Sequence, residues 1–330
     1  MDRRTVLKLA GVTAAAAAGT GLLASRANAA EKISIALIPG LTADGFYVTM
    51  HKGAEAAAKA LGVNLIYQGA AKWDATLEIP IVEAVVAKKP AAILIAPNDK
   101  QQLVGPLKKA FAAGIQIVCV DTFIGNGVFQ TGSGDADFPI SYVASDNLLG
   151  GKMAAAALAK AIGGKGKVYV SNVKPGISTT DQREQGFKEG MKAFPDITVL
   201  ETQFNDDDAN KAAAQLQAVL GRAPDLAGVF GANLFSASGA GNGVKQAGAT
   251  GKIKIAAFDA PESIVGDLKS GLFEMTIAQH PAEIGYFGLV AAYAKVTGNP
   301  VPTAIGTGFS VMTKANIDDP NISKYIYSSK

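Results

Sequence analysis

Short β-branched runs alternate with longer alanine-rich stretches along most of this chain, and the alternation is played through twice. Runs of four to eight apolar residues bounded by turn signals read as buried strands, and stretches with apolar residues every three or four positions read as helices. Strand, helix, strand in that order is the βαβ unit, which closes only as a parallel sheet covered on both faces. The first set of strands is ISIALIP, NLIYQG, AAILIAP and IQIVCVD. Helices are expected to start near Asp44, Asp74 and Lys100, the first reading FYVTMHKGAEAAAKALG and stopping at Gly62. The second set is GKVYVSNV, ITVLETQF, LAGVFGAN, IKIAAFD and FEMTIAQ, with helices around TTDQREQGFKEGMKAF, NDDDANKAAAQLQAVL and PESIVGDLKS. The sequence therefore predicts an α/β protein in which the same parallel-sheet architecture occurs twice. The Gly- and Asp-rich stretch GNGVFQTGSGDADFPISYVASD between the two sets is where the chain is expected to leave one lobe for the other.

Polar residues punctuate the carboxyl ends of these strands: Asp44 just past ISIALIP, Asp121 closing IQIVCVD, Asn233 closing LAGVFGAN, Asp259 closing IKIAAFD and Gln279 closing FEMTIAQ. In open parallel sheets that edge is the ligand crevice. Five side chains rich in hydrogen-bond acceptors suit a neutral, hydroxyl-rich ligand, since carboxylates accept from hydroxyls and amides both donate and accept. Asp and Asn at strand ends also cap helices and form turns, so each residue taken singly has two readings.

The opening stretch MDRRTVLKLAGVTAAAAAGTGLLASRANAA has the form of a twin-arginine export signal. Arg3 and Arg4 precede an apolar run from Leu9 to Leu23, and Ala27-Asn28-Ala29 supplies the small residues of a cleavage site. The run is too short to span a bilayer, which favours a cleaved signal over 1–29 against a retained anchor. A mature chain starting near Ala30 would be periplasmic and not membrane-spanning. About 300 residues would remain, enough for two lobes with their own cores.

Charge and composition narrow the chemistry. Much of the formal charge of +3 sits in the signal, leaving a nearly neutral body without the basic face that nucleic acid requires. Cys119, the single cysteine, falls inside IQIVCV and reads as a buried, inert thiol. Two histidines, His51 and His280, stand beside no obvious nucleophile, and no GxSxG, HExxH or GxxxxGK[ST] motif occurs. A glycosidase-like pair drawn from Asp44, Asp121 and Asp259 is the enzymatic alternative. Asp206, Asp207 and Asp208 are close together, but the twelfth position of a calcium loop counted from Asp206 is Gln217, so the triplet reads as a helix cap and no metal or cofactor is expected. The glycines of GSG (132–134) and GAGNG (239–243) read as turn and helix-packing residues.

The order and spacing of ISIALIPGLTADGFYVTMHKGAEAAAKALG, AAILIAPND, IVCVD, YVASDNLLGGKMA, DQREQGFKEGM, FDAPESIVGDLKSG and MTIAQHPAEIGYFGL resemble the type I periplasmic sugar-binding proteins of the ribose-binding class, from about Lys32 to about Asn316. The resemblance implies two doubly wound parallel-sheet lobes joined by three hinge crossings, residues 30–145 with 280–310 in the first and 146–279 with 311–330 in the second. It implies a monomer that captures a neutral monosaccharide or polyol and delivers it to an ABC permease with a separate ATPase. A receptor role toward a chemotaxis or kinase sensor is a further possibility of the class. A sugar-sensing repressor of the same fold would need a helix-turn-helix where the export signal stands. Carried onto matching positions, the ligand-contacting residues are Asp44, Phe46, Tyr47, Asp121, Arg183, Asn233, Asp259 and Gln279. Phe46 and Tyr47 would stack on a sugar ring or else pack in the core of the first helix. Arg183 would fork onto ligand oxygens beside a carboxylate, or else lie on a solvated face with Glu184 and Glu189. Two positions depart from the ribose binders. Thr122 replaces an arginine and Asp207 an aromatic, which points away from ribose itself, and Ser178, Thr179 or Thr180 are candidates for extra hydroxyl contacts.

Overall fold

The computed structural model describes residues 32–327, so the export signal expected over residues 1–29 lies outside the described residues. From Ser34 the chain runs β1 (Ser34–Ile38), α1 (Gly45–Leu61), β2 (Asn64–Tyr67), α2 (Ala75–Val86), β3 (Ala92–Ile95), α3 (Val104–Ala112), β4 (Gln116–Val120) and β5 (Ser141–Ser145). It continues through α4 (Asn147–Ala161), β6 (Gly166–Asn172), α5 (Ser178–Met191), β7 (Ile197–Val199), β8 (Gln203–Phe204), α6 (Ala209–Arg222), β9 (Leu226–Gly231), α7 (Leu234–Gln246), β10 (Lys254–Phe258), α8 (Glu262–Ser270) and β11 (Met275–Gln279). The last elements are α9 (Pro281–Val296), β12 (Ala304–Thr307), β13 (Phe309–Met312) and α10 (Pro320–Ser323).

Among the described residues the strands form two sheets, one ordered β12-β5-β4-β3-β1-β2 and the other β13-β11-β10-β9-β6-β7 with β8 beside β6. Pairing is parallel throughout the first sheet. In the second, β13 alone runs antiparallel, against β11. Strands covered by helices on both faces carry apolar residues at every position, and β3 (AILI) is wholly buried. The chain passes between the sheets after β5, after β11 and between β12 and β13.

The helices begin where the sequence supplies caps. Asp44 accepts the amide of Phe46, Asp74 that of Thr76, Asp208 those of Asn210 and Lys211, and Asn233 that of Ser236. Helix α1 ends at Gly62 with φ 68°, a left-handed stop that glycine adopts without cost. Two helix pairs, one in each half, pack through glycine. A Cβ on Gly53 of α1 would strike the carbonyl of Ala282 and one on Gly285 of α9 that of Met50; in the same way Gly151 of α4 faces the carbonyl of Arg183, and Gly186 of α5 that of Leu148. Small residues there let backbones touch, which fixes α9 on α1 and α5 on α4 within narrow limits.

Three expectations shift. The stretch 125–146 is irregular only as far as Ile140, because SYVAS forms β5 of the first sheet and the chain crosses after it. ITVLETQF is two short strands rather than one, since pairing with β6 lapses between Val199 and Gln203. Phe309 and Ser310 already pair with Gln279 and Ala278 in the second sheet, so the third crossing falls at Gly308 rather than after residue 310.

Candidate functional site

The carboxyl ends of the two sheets face one another across a cavity of about 370 Å³. All eight residues expected at the site line it: Asp44, Phe46, Tyr47, Asp121, Arg183, Asn233, Asp259 and Gln279. Trp73, Val173, Ile177, Thr179 and Thr180 complete the wall.

The two sheets contribute matching aspartates. Asp121 follows β4 and Asp259 follows β10, and both hold left-handed backbones, φ 62° and 72°, which Asp tolerates better than most residues. Each has its amide bonded to the neighbouring strand, to Val143 O and Ile277 O at 2.9 Å. Each has its carbonyl held by a hydroxyl, from Tyr142 and Thr276 respectively. The sharp turn aims each carboxylate off the sheet edge into the cavity.

Asp121 accepts from Tyr47 Oη through Oδ2 at 2.6 Å, while its Oδ1 is buried without a partner in the protein. Burial pushes its carboxyl up to about 6, against the opposing effects of Arg183 and the Tyr47 hydroxyl. Asp259 is more fully engaged. Its Oδ1 accepts from Gln279 Nε2 at 3.0 Å and Tyr327 Oη at 3.1 Å, and its Oδ2 from the Leu234 amide at 3.2 Å. Arg183 Nη1 stands 3.8 Å from Asp259 Oδ2.

Arg183 is 3 % exposed, which removes the reading of a solvated face with Glu184 and Glu189. Its Nε donates to Asn147 Oδ1 at 2.8 Å and its Nη1 to Ala232 O at 3.0 Å, and the guanidinium lies 3.8 Å over the Phe258 ring. A buried guanidinium needs this many partners to offset its lost hydration. Asn233 caps α7 and also donates to Asp207 Oδ1 at 2.7 Å, so its cap and cavity roles coexist. Asp208 is the cap of the aspartate triplet, and Asp207 backs the cavity wall instead, its carboxyl raised to about 6 by burial. Asp44 combines both roles as well, capping α1 while lining the cavity, and burial together with the charge of Asp259 pushes it up to about 8.

Phe46 and Tyr47 meet edge to face, with ring centroids 5.0 Å apart, and Phe46 meets Tyr327 in the same way at 5.6 Å. They form an apolar wall beneath the polar ring. Thr179 and Thr180 reach the cavity, and the Thr180 hydroxyl is buried without a partner, as is Gln279 Oε1. Ser178 instead accepts the Phe123 amide at 3.0 Å, and Thr122 is buried beside the site, donating to Pro97 O at 2.9 Å.

Asn147, Trp73 and Tyr327 escaped the sequence reading. Asn147 and Trp73 follow strands β5 and β2, so the strand-end rule that found Asp121 applies to them too. Tyr327 comes from the last described residues, and nothing local announces that its backbone returns to bond Ala260 O at 2.9 Å. Cys119 is buried in β4, where burial raises its thiol to about 12. His51 stacks on Tyr67 and His280 on Tyr325, and neither lines the cavity.

Residues 35–300 match the periplasmic binding protein domain. The chain belongs to that family. The D-ribose/D-allose-binding protein of Pseudomonas aeruginosa is 31 % identical over 283 residues, covering 84 % of this chain and 86 % of that protein. An ABC transporter solute-binding protein from Agrobacterium vitis, solved with bound α-D-tagatopyranose, is 66 % identical with a TM-score of 0.89, over 90 % of this chain and all of that one. A carbohydrate transporter solute-binding protein from Agrobacterium radiobacter in complex with D-arabinose is 31 % identical with a TM-score of 0.83, over 90 % and 99 % of the two chains. Periplasmic binding proteins of this family are receptors of ABC importers rather than enzymes, and the family implies a periplasmic location. No helix among the described residues is long and apolar enough to cross a membrane.

Proposed function

We propose that this periplasmic binding protein captures a single monosaccharide, a hexose in pyranose form of the D-tagatose type, and delivers it to an ABC permease whose ATPase is a separate chain. The observation that carries the reading is the set of buried, unpartnered polar atoms on cavity-lining residues: Asp121 Oδ1, Thr180 Oγ1 and Gln279 Oε1. Each leaves a hydrogen-bonding capacity unmet at a cost of about 1–3 kcal/mol, which a polyhydroxylated ligand would recover. The cavity is small and walled by residues from both sheets, which suits one sugar ring rather than a chain of them. The 66 % identical protein with bound α-D-tagatopyranose supports the choice among hexoses.

In this reading Asp44, Asp121, Arg183, Asn233, Asp259 and Gln279 bond the hydroxyls while Phe46 and Tyr47 pack on the C–H face of the ring. Asp44, Phe46, Tyr47 and Asp121 belong to the first lobe and Arg183, Asn233 and Asp259 to the second, with Gln279 at a crossing. Among the described residues the lobes are 32–145 with 280–308, and 146–279 with 309–327. They move about the three crossings, and the protein acts as a monomer exported by the twin-arginine signal and cleaved near Ala29/Ala30.

A thermal-shift screen across pentoses, hexoses, deoxysugars and polyols tests the assignment. Stabilisation should follow RT ln(1 + [L]/Kd), with D-tagatose among the strongest ligands and Kd micromolar or tighter, about −8 kcal/mol or more favourable. Stabilisation by amino acids, peptides or anions alone would end it.

A further inference from the structure

The charges around the cavity do not balance. Asp44, Asp121 and Asp259 line it, Asp207 stands behind Asn233, and the guanidinium of Arg183 is the one cation among the lining residues. Arg183 is itself committed to Asn147, to Ala232 O and to the neighbourhood of Asp259. Asp121 is supplied by the Tyr47 hydroxyl, Asp259 by Gln279, Tyr327 and the Leu234 amide, and Asp207 by Asn233. Asp44 receives the Phe46 amide, and among the described residues no lysine or arginine forms an ion pair with it.

We propose that Asp44 serves the closed, sugar-bound site as a neutral carboxylic acid, donating a hydrogen bond to a ring or hydroxyl oxygen of the ligand, and that capture therefore takes up a proton. The proposal rests on the monosaccharide reading of the same cavity. Like-charged carboxylates sharing a small, water-poor space cannot all ionise, and the one with the least positive compensation keeps its proton. Sugar oxygens also need donors, and a cavity walled by carboxylates is poor in them.

Asp44 shares the cavity with Asp259 at the end of β10 and Asp121 at the end of β4, and feels their charge and that of Asp207 in the loop before α6. Tyr47 on its own helix and Tyr67 on β2 also feel its charge, and both phenols are raised above their ordinary value. Arg183 approaches from α5, Tyr327 reaches Asp259 from the carboxyl-terminal segment, and Lys174 acts on Asp207 from the loop after β6. His51, a turn along α1, is lowered by burial, against the charge of Glu55. Burial raises all three carboxyls, Asp121 and Asp207 to about 6 and Asp44 to about 8, so variants at Asp44 and Asp207 together assign a slope between pH 6 and 8.

The sign follows from linkage. A carboxyl whose pKa is higher in the closed, bound form than in the open, solvated one favours binding at low pH, and that contribution is lost as pH rises toward the bound-state value. Calorimetric titration with D-tagatose from pH 5.5 to 9, in two buffers of different ionisation enthalpy, is the test. The expected result is a Kd that rises by up to about tenfold per pH unit between pH 6 and 8, levels off above, and is accompanied by proton uptake at pH 7. Asp44→Asn keeps the helix cap and supplies a permanent donor, so it should flatten the profile in that interval, whereas Asp207→Asn should retain the slope. A flat wild-type profile, binding at pH 7 without proton uptake, or a slope that survives Asp44→Asn would overturn the proposal. Failure of D-tagatose to bind at any pH would overturn the ligand assignment and this inference together.

Discussion

Asp121 and Asp259 show what a single residue position can determine in this fold. Each ends a central strand with a left-handed backbone, and that turn alone points a carboxylate from the sheet edge into the cavity. Asp121→Asn is the clean probe, because Asn tolerates the same φ and keeps the side-chain volume. It removes the anionic acceptor whose Oδ1 is open to the ligand, a hydrogen bond to a charged group worth about 1.5–3 kcal/mol, and should weaken D-tagatose binding roughly 10- to 100-fold. Binding within twofold of wild type in a calorimetric titration would move the ligand away from Asp121. Aspartates were legible in the sequence because strand ends are easy to find once the strands are. Arg183 was legible by resemblance, but its true partners, Asn147 and the Phe258 face, depend on how α4 meets α5 and left no local trace.

Between elements, the positions of site residues are set by helix contacts made through glycine. Gly151 touches the carbonyl of Arg183 itself, so a methyl group there must push α5 away and carry the guanidinium with it. Gly151→Ala should cost about 1–3 kcal/mol, lowering Tm by roughly 2–8 °C, and should weaken sugar binding as well, although the residue lies outside the cavity. An unchanged Tm in a thermal melt would show that α4 and α5 are not tightly fixed. Helix α2 carries a separate signature. Glu78 is buried with Oε2 accepting the Asn98 amide at 2.7 Å, while its Oε1 and Asn98 Oδ1 are both buried without partners. Burial pushes Glu78 up to about 8 from an ordinary value near 4.5. A raised carboxyl stabilises fully below the unfolded-state value and loses that contribution as pH rises through the folded one. Glu78 should therefore make unfolding easier from pH 5 to 8, by at most about 1.4 kcal/mol per pH unit, and Glu78→Gln should reduce that slope in urea melts. Strand and helix identities were readable from periodicity over most of the chain. Strands β5, β12 and β13 were not: β12 and β13 are sheet edges, short, mixed in composition and defined by their partners, and β5, between β12 and β4, follows a Gly- and Asp-rich stretch that reads as loop.

At the scale of the molecule, contacts run directly between the two halves. Lys100 pairs with Asp181 at 2.9 Å, Lys174 donates to Trp73 O at 2.7 Å, and the Phe123 amide donates to Ser178 Oγ at 3.0 Å. In the proposed reading a ligand held by Asp121 on one side and Arg183 and Asn233 on the other binds the closed arrangement best, and that difference in affinity would shift the population toward it. The radius of gyration by small-angle scattering should fall when D-tagatose is added, and an unchanged radius would count against closure. The two-lobed plan was legible because it follows from two runs of βαβ units. The return of the carboxyl-terminal segment to place Tyr327 against Asp259 was not, since a contact between residues 68 apart in the chain is a tertiary event with no periodicity of its own. The most direct test of the central claim is a crystal structure of residues 30–330 grown with D-tagatose. One pyranose ring should lie between the carboxyl ends of the two sheets, bonded to Asp121 Oδ1, Thr180 Oγ1 and Gln279 Oε1 and packed on Phe46 and Tyr47; a sugar bound outside that cavity, or touching only one of the two lobes, would contradict it.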